Sequence, residues 1–412
     1  MYRLVLLFLF PFLLFAQYEE EQRVLETLCS EAFGGRGYVN GGDSIAAEFL
    51  AKEFNKLGLK PIGKSYFQPF RFDINTFPEN IVLKIGSTQL TPGKDFLVNP
   101  ASGSSNVTTH SRVFTLNDFQ NGTFSTEIER IRNGQLIPVI DPEQLTNHDT
   151  LQALMGLAHE LAGFTPVIIL QTHLSWHTSQ RQLKHALIEV NRDSFEEGEI
   201  ELKVKAVLKK HTARNVIADI PASGKAKRTI VFTAHYDHLG RMGQNTYFPG
   251  ANDNGSGTAM LLSLASQLIS KPSSTRYIFI AFAGEEVALL GSKYFVENPT
   301  FKLNTIDFLI NLDILGGAQQ NITVVNGTEF KSEFEHLVSI NEEHNYLPAI
   351  KARKPTANSD HYWFFEKGIK CFYIYSAGDN KHYHVPEDHA KDVDMKSFMN
   401  IRSLLLDFVT EY

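Results

Sequence analysis

From Ala213 onward, short apolar runs alternate with amphipathic stretches, and this rhythm predicts strands and helices in turn. Val216–Ile220, Thr229–Ala234, Tyr277–Ala283, Phe308–Leu312 and Lys370–Tyr375 are short apolar or β-prone runs that predict strands. Between them, Ser256–Ile269, Val287–Val296 and Phe330–Asn345 predict helices, and Met395–Tyr412 predicts a closing one. Ser256 stands near the start of its helix, and Lys271-Pro272 follows the end. The alternation specifies an α/β fold, a mixed, largely parallel sheet sandwiched by helices. Upstream, Gly42–Leu59 predicts an amphipathic helix through Ile45, Phe49, Leu50, Phe54 and Leu57. Asp43 or Ser44 is its candidate cap, and Gly58 and Pro61 close it. Asn80–Ile85 predicts an extended segment.

The texture changes between residues 102 and 204. Asn99–Thr109, rich in Ser, Asn and Gly, predicts a linker. Strand-like Leu136–Ile140 and Val167–Gln171 flank Thr150–Ala162, where Leu151, Leu154, Leu157 and Leu161 recur at helical spacing. His173, His177 and His185 are scattered and are assigned as surface or locally hydrogen-bonded side chains. The block 102–204 is therefore expected to be a smaller α/β accessory domain. It would be inserted between residues 17–101 and 205–412 of one catalytic domain.

Residues 1–16 predict a secretory signal peptide. Arg3 precedes the apolar run Leu4–Phe15, and Ala16 is followed by polar Gln17 and acidic Glu19–Glu21. The run is too short for a bilayer-spanning helix. The expectation is a secreted or periplasmic protein with no stable membrane span after signal removal; an uncleaved interfacial anchor is the alternative. With 43% hydrophobic and 21% charged residues the composition is that of a globular protein, and a net charge of −7 offers no basic face for nucleic acid. Cys29 and Cys371 are too few to build a disulfide scaffold; buried thiols or a single pair both fit.

The candidate chemistry lies where the predicted strands end. His235 and Asp237 follow one strand, Glu285 and Glu286 a second, Asp313 a third, and Tyr383-His384 lies in the loop after a fourth. Open α/β sheets gather ligands outside the carboxyl ends of their strands, which would bring these residues together. Each has an ordinary explanation alone: a loop histidine beside an acid, a helix-capping turn, an acidic helix start, a solvated strand end. Together they supply the nitrogen and oxygen donors of a centre for two Zn2+ ions. His235 would be a ligand with Asp237 as its orienting acid. Asp253, in the glycine-rich Pro249–Gly257, would sit between two cations. Of the adjacent acids, one would bind metal while the other moves a proton. His238 receives no role, and His382 and His389 are assigned as solvated or supporting residues.

His-x-Asp, Gly-x-Asn-Asp-Asn-x-Ser-Gly, Gly-Glu-Glu, Asn-x-Asp and Tyr-His, in this order, resemble the secreted di-zinc aminopeptidases. These are zinc-dependent exopeptidases with leucyl aminopeptidase, glutamate carboxypeptidase and transferrin-receptor-like relatives. The resemblance covers Ala213–Tyr412 and, more loosely, the helix from Gly42. Ser359-Asp360-His361 and Glu387-Asp388 also stand where the family keeps similar residues. By position and texture, 102–204 resembles a protease-associated domain. The resemblance implies that Asp253 bridges two zinc ions. His235 and Asp313 would complete one site, and Glu286 and His384 the other. Glu285 would be the general base, Tyr383 would polarise the scissile carbonyl, and the Asp253–Asn254 peptide would be cis. It implies an exported aminopeptidase acting on peptides with a free N-terminus. A carboxypeptidase or dipeptidase, a glutaminyl cyclase and a non-catalytic receptor-like binding module remain alternatives on the same fold. Trp363, Phe364 and Phe365 are candidate pocket walls or core residues, and the oligomeric state is open.

Overall fold

Four parallel strands lie side by side in the larger sheet of the computed structural model, in the order Thr275–Phe282, Arg228–His235, Phe308–Leu312 and Cys371–Ala377. The structure describes residues 19–143 and 147–412, so the signal-peptide assignment of 1–16 lies outside the described residues. These four strands are buried on both faces, which explains their near-continuous apolar sequence. Alternate residues build two cores. Ile230, Phe232, Phe279, Ile310 and Phe372 meet the helices Gly42–Leu57, Ser256–Leu268, Lys331–His344 and Met395–Glu411. Val231, Ile278, Leu309 and Cys371 meet Phe295 of the helix Leu290–Glu297 and Phe364. Antiparallel strands flank the parallel centre, so the nine-stranded sheet is mixed. Cys29 and Cys371 are buried free thiols.

Several local expectations change. The helix from Gly42 is capped by Gly41 in a left-handed conformation, because Asp43 is buried and its carboxylate lies 2.6 Å from His211 Nε2. The strand expected at Val216–Ile220 starts at Val207; its first half pairs with Phe67–Thr76 and alternates in exposure, so its polar face hid it. Asn99–Thr109 is not a linker. Ser102 is fully buried, its Oγ donating to the Leu187 carbonyl, and residues from Ser105 enter the strand Ser105–Phe114. The hydroxyls that suggested a loop here satisfy buried backbone groups instead.

A second, eight-stranded sheet runs from Val82–Ile85 to Glu199–Val204 in sequence. It includes Val82–Ile85 and Phe96–Val98, which pair across to Glu199–Val204 and Leu187–Asn191, so it extends N-terminal to residue 102. Ile131, Leu154, Ala158 and Leu161 cover one face through Phe114, Ile140 and Ile169. The other face shares a core with Leu239, Met242 and Phe248 of the larger body. Trp176 stacks on Phe248 at 4.7 Å between centroids and donates its Nε1 hydrogen to the Val98 carbonyl at 2.7 Å.

Candidate active site

His235 ends one parallel strand; Glu285 and Glu286 follow its neighbour on one side, and Asp313 follows the neighbour on the other. His384 enters from the loop beyond Cys371–Ala377. A parallel register therefore delivers these groups to one edge of the sheet. Asp253 comes from the turn before the helix Ser256–Leu268, in which the Asp253–Asn254 peptide is cis. Gly250 has φ +58°, and a Cβ there would lie 2.3 Å from both the Asp253 carbonyl oxygen and the His238 ring, so no larger residue fits. Asn254 ties the turn to the next strand end: its Nδ2 donates to the Leu312 carbonyl at 2.9 Å, and its Oδ1 accepts from the Gly257 amide at 2.8 Å. Asp388 accepts from the Asn252 and Asp253 amides.

The two oxygens of Asp253 point to different histidines. Oδ1 lies 3.4 Å from His235 Nε2, and Oδ2 lies 3.2 Å from His384 Nε2. His235 Nε2 is also 3.2 Å from Asp313 Oδ1, and His384 Nε2 is 3.4 Å from Glu286 Oε2. Candidate ligand atoms of His235, Asp253 and Glu286 fall within 4.8 Å of one another, as do those of His235, Glu285 and Asp313. This mixed nitrogen and carboxylate set fits zinc, and a buried cluster of acids needs positive charge to offset its desolvation.

The electrostatics separate the acids. Burial raises the Asp253 carboxyl, but hydrogen bonding to His235 and His384 outweighs it and holds the group well below the usual carboxylate range. Burial pushes Glu285 well up; His235 opposes, while Glu286 and Asp313 add to the rise. Asp237 is raised to about 6, chiefly by burial. Its backbone carbonyl lies 3.0 Å from His235 Nδ1, closer than its carboxylate at 3.8 Å. The Asp237 carboxylate instead accepts from the Tyr38 hydroxyl at 2.6 Å and the Glu285 amide at 3.2 Å, linking His235 to the turn of Glu285.

The cleft above these groups holds about 280 Å³ and is also lined by Tyr383, Tyr373, Tyr375, Ile314 and Arg353. The Tyr383 ring stacks on His384 with centroids 3.8 Å apart, and half of the residue is exposed. Trp363, Phe364 and Phe365 are not walls of this cleft: Phe364 is fully buried in the core on the other side of the sheet, with its two neighbours packed against that core. Ser359 donates to Asp313 Oδ2 at 2.8 Å. His382 and His389 make no side-chain contact with the ligand set among the described residues.

Three residues escape a strand-end argument. His238, given no role, has its Nδ1 2.7 Å from Glu286 Oε1; the strand stops at His235, so two-residue phasing no longer applies. His177, assigned as a surface or locally hydrogen-bonded side chain, is exposed and has its Nδ1 3.1 Å from His384 Nδ1, a partner far away in sequence. Arg36 is completely buried and donates to the carbonyls of Leu28, Tyr236, Pro249 and Gly250. Only the arginine in Gly34-Gly35-Arg36-Gly37 hinted at it, through its setting among glycines.

A parallel sheet with paired histidines and acids at its carboxyl edge fits a metal-dependent hydrolase. The profile of Peptidase family M28 matches residues 215–409, a little under half of the chain, and with the aminopeptidase relatives that follow it supports a metallo-exopeptidase. Aminopeptidase YwaD of Bacillus subtilis (strain 168) is 26% identical over 401 residues, or 93% of this chain and 82% of that protein. The structure of BSAP, a zinc aminopeptidase from Bacillus subtilis, aligns with a TM-score of 0.70 at 22% identity, covering 96% of this chain and 95% of that one. An aminopeptidase from Aneurinibacillus sp. strain AM-1 aligns with a TM-score of 0.63 at 20% identity, covering 96% and 93%. At these identities the two structures show a shared fold.

Proposed function

We propose that this protein is a two-zinc aminopeptidase that removes single residues from peptides with a free N-terminus. The observation that carries the reading is the division of Asp253 between the two histidines, one carboxylate oxygen to each. His235 and Asp313 would hold one zinc, Glu286 and His384 the other, with Asp253 shared. When bound, zinc supplies Lewis acidity, lowering the pKa of water and drawing electrons from the scissile carbonyl. Glu285 accepts the proton of the attacking water and returns it to the departing amine; burial raises it above the ordinary carboxylate range, the direction that favours a carboxyl able to hold a proton. The Tyr383 hydroxyl donates to the carbonyl oxygen as negative charge develops there. Asp237 holds His235 and the Glu285 turn in register. The buried carboxylates suit a substrate ammonium, which selects a free N-terminus.

The span 102–204 acts as an accessory, protease-associated-like domain in this reading, and the leader 1–16 directs export. Among the described residues no helix is long and apolar enough to cross a membrane. Arg353 favours a second reading, dipeptide hydrolysis. Among the described residues it is the one lysine or arginine lining the cleft, and it donates to the Tyr375 hydroxyl at 3.0 Å, where it can meet a substrate carboxylate.

The deciding experiment gives zinc-loaded protein free, N-acetylated and C-amidated peptides of two and more residues, with Glu285→Gln as control. Stepwise shortening of free peptides only, lost with chelator and restored by zinc, is expected, with Glu285→Gln binding zinc but at least 10²-fold slower. Cleavage confined to dipeptides with a free carboxylate would select the second reading. Shortening from the C-terminus would defeat both.

A further inference from the structure

Residues 176–178 reach from the second sheet's body to the metal centre at three points. The Trp176 amide donates to the His384 carbonyl at 3.0 Å, and the Thr178 hydroxyl donates to the Glu286 carbonyl. Between them His177 places its ring edge-on to that of His384, with centroids 4.7 Å apart and planes at 69°. The segment is itself anchored, since Trp176 is buried against Phe248 and bonded to Val98. His384 sits at φ +58°, a left-handed backbone that a histidine keeps only when its surroundings hold it.

We propose that His177 is a positioning residue that fixes the tautomer and orientation of His384. The argument is one of hydrogen accounting. His384 Nε2 faces Asp253 and Glu286, so its lone pair serves the cation and its proton stands on Nδ1. The nitrogen opposite is His177 Nδ1 at 3.1 Å, and two ring nitrogens this close need one donor and one acceptor. His384 therefore donates and His177 accepts, carrying its own proton on Nε2. A ligand histidine ordinarily donates its second N–H to a carboxylate, carbonyl or water. Here an imidazole from another part of the chain takes that place, while the Tyr383 ring stacks on that of His384. The geometry thus couples the 102–204 region to one zinc site and leaves the His235–Asp313 site untouched. The inference rests on the reading of His384 as a zinc ligand.

Its test is zinc titration of the full chain against a chromophoric chelator, for the wild type, His177→Ala and His177→Asn, with melting curves of the chelated proteins. The wild type should bind two zinc ions. His177→Ala should weaken one by roughly tenfold, leaving the other zinc and the chelated melting temperature unchanged. His177→Asn, whose Oδ1 can accept the same hydrogen, should recover most of the loss. Unchanged affinities in His177→Ala, with two zinc ions on the wild type, would overturn this inference alone. Equal loss at both sites with a lower chelated melting temperature would also overturn it, since that marks general destabilisation. Fewer than two zinc ions on the wild type would overturn the two-zinc reading and this inference together.

Discussion

Asp253 is the residue whose removal should reach furthest, because each of its oxygens serves a different histidine. Asp253→Ala is expected to bind neither zinc at concentrations that saturate the wild type, as measured by metal analysis after dialysis. Ser359→Ala removes one hydrogen bond to Asp313 and nothing from His384, so it should weaken a single zinc by about 10-fold. Retention of two zinc ions by Asp253→Ala would refute the shared-ligand assignment. At this scale the sequence identified acids and histidines through residue type and position after apolar runs. His177 and His238 were not legible, because their contacts depend on loop paths and on a partner far away in sequence or out of strand phase.

Among the elements, the parallel strands were legible because burial on both faces forces a continuous apolar sequence. Their turns were legible only in part. The Pro249–Gly257 turn is held from below by Arg36, whose guanidinium also reaches Tyr236 beside His235. Arg36→Met would leave several buried carbonyls unpaired at about 1–3 kcal/mol each. It should lower unfolding stability by on the order of 3 kcal/mol, read from the urea midpoint, and weaken zinc binding as the Asp253 turn loosens. A midpoint unchanged from wild type would show that the carbonyls find other partners. The apparent linker at Asn99–Thr109 failed for a related reason: serine and asparagine suit loops, yet Ser102 and Ser105 here bond buried backbone groups at the join between strands.

For the whole molecule, the buried charges make stability depend on pH in a way that metal should reverse. Burial raises Asp237 to about 6, and Asp360 and Asp388 to about 7. A carboxyl held above its unfolded value, about 4, stabilises the fold fully below that value and loses this contribution as pH rises through the folded value. His384 reaches about 9 because Glu286 and Asp253 outweigh its burial, so its contribution is present below about 6.5 and lost as pH rises through about 9. Both act in the same direction. Burial lowers His361 to about 4 and also lowers His177 and His185, so these oppose the trend below about 6.5, and the lowered Asp253 and Glu286 oppose it below about 4. The chelated protein should therefore melt at progressively lower temperature from about pH 7 to about 9, while the gain on adding zinc grows, since zinc needs deprotonated ligands. A chelated melting temperature that climbs across this range would contradict the charge arrangement. The sequence by itself determined the α/β alternation, the burial of the central strands and the acids and histidines at their carboxyl ends, because periodicity and residue chemistry are local properties. Only the tertiary structure decided that Asp253 divides its oxygens between two histidines, that Arg36 supports the turn, and that a segment from the second sheet's body meets His384. Those are contacts between residues far apart in the chain, fixed by how the sheets close on one another and absent from any local pattern.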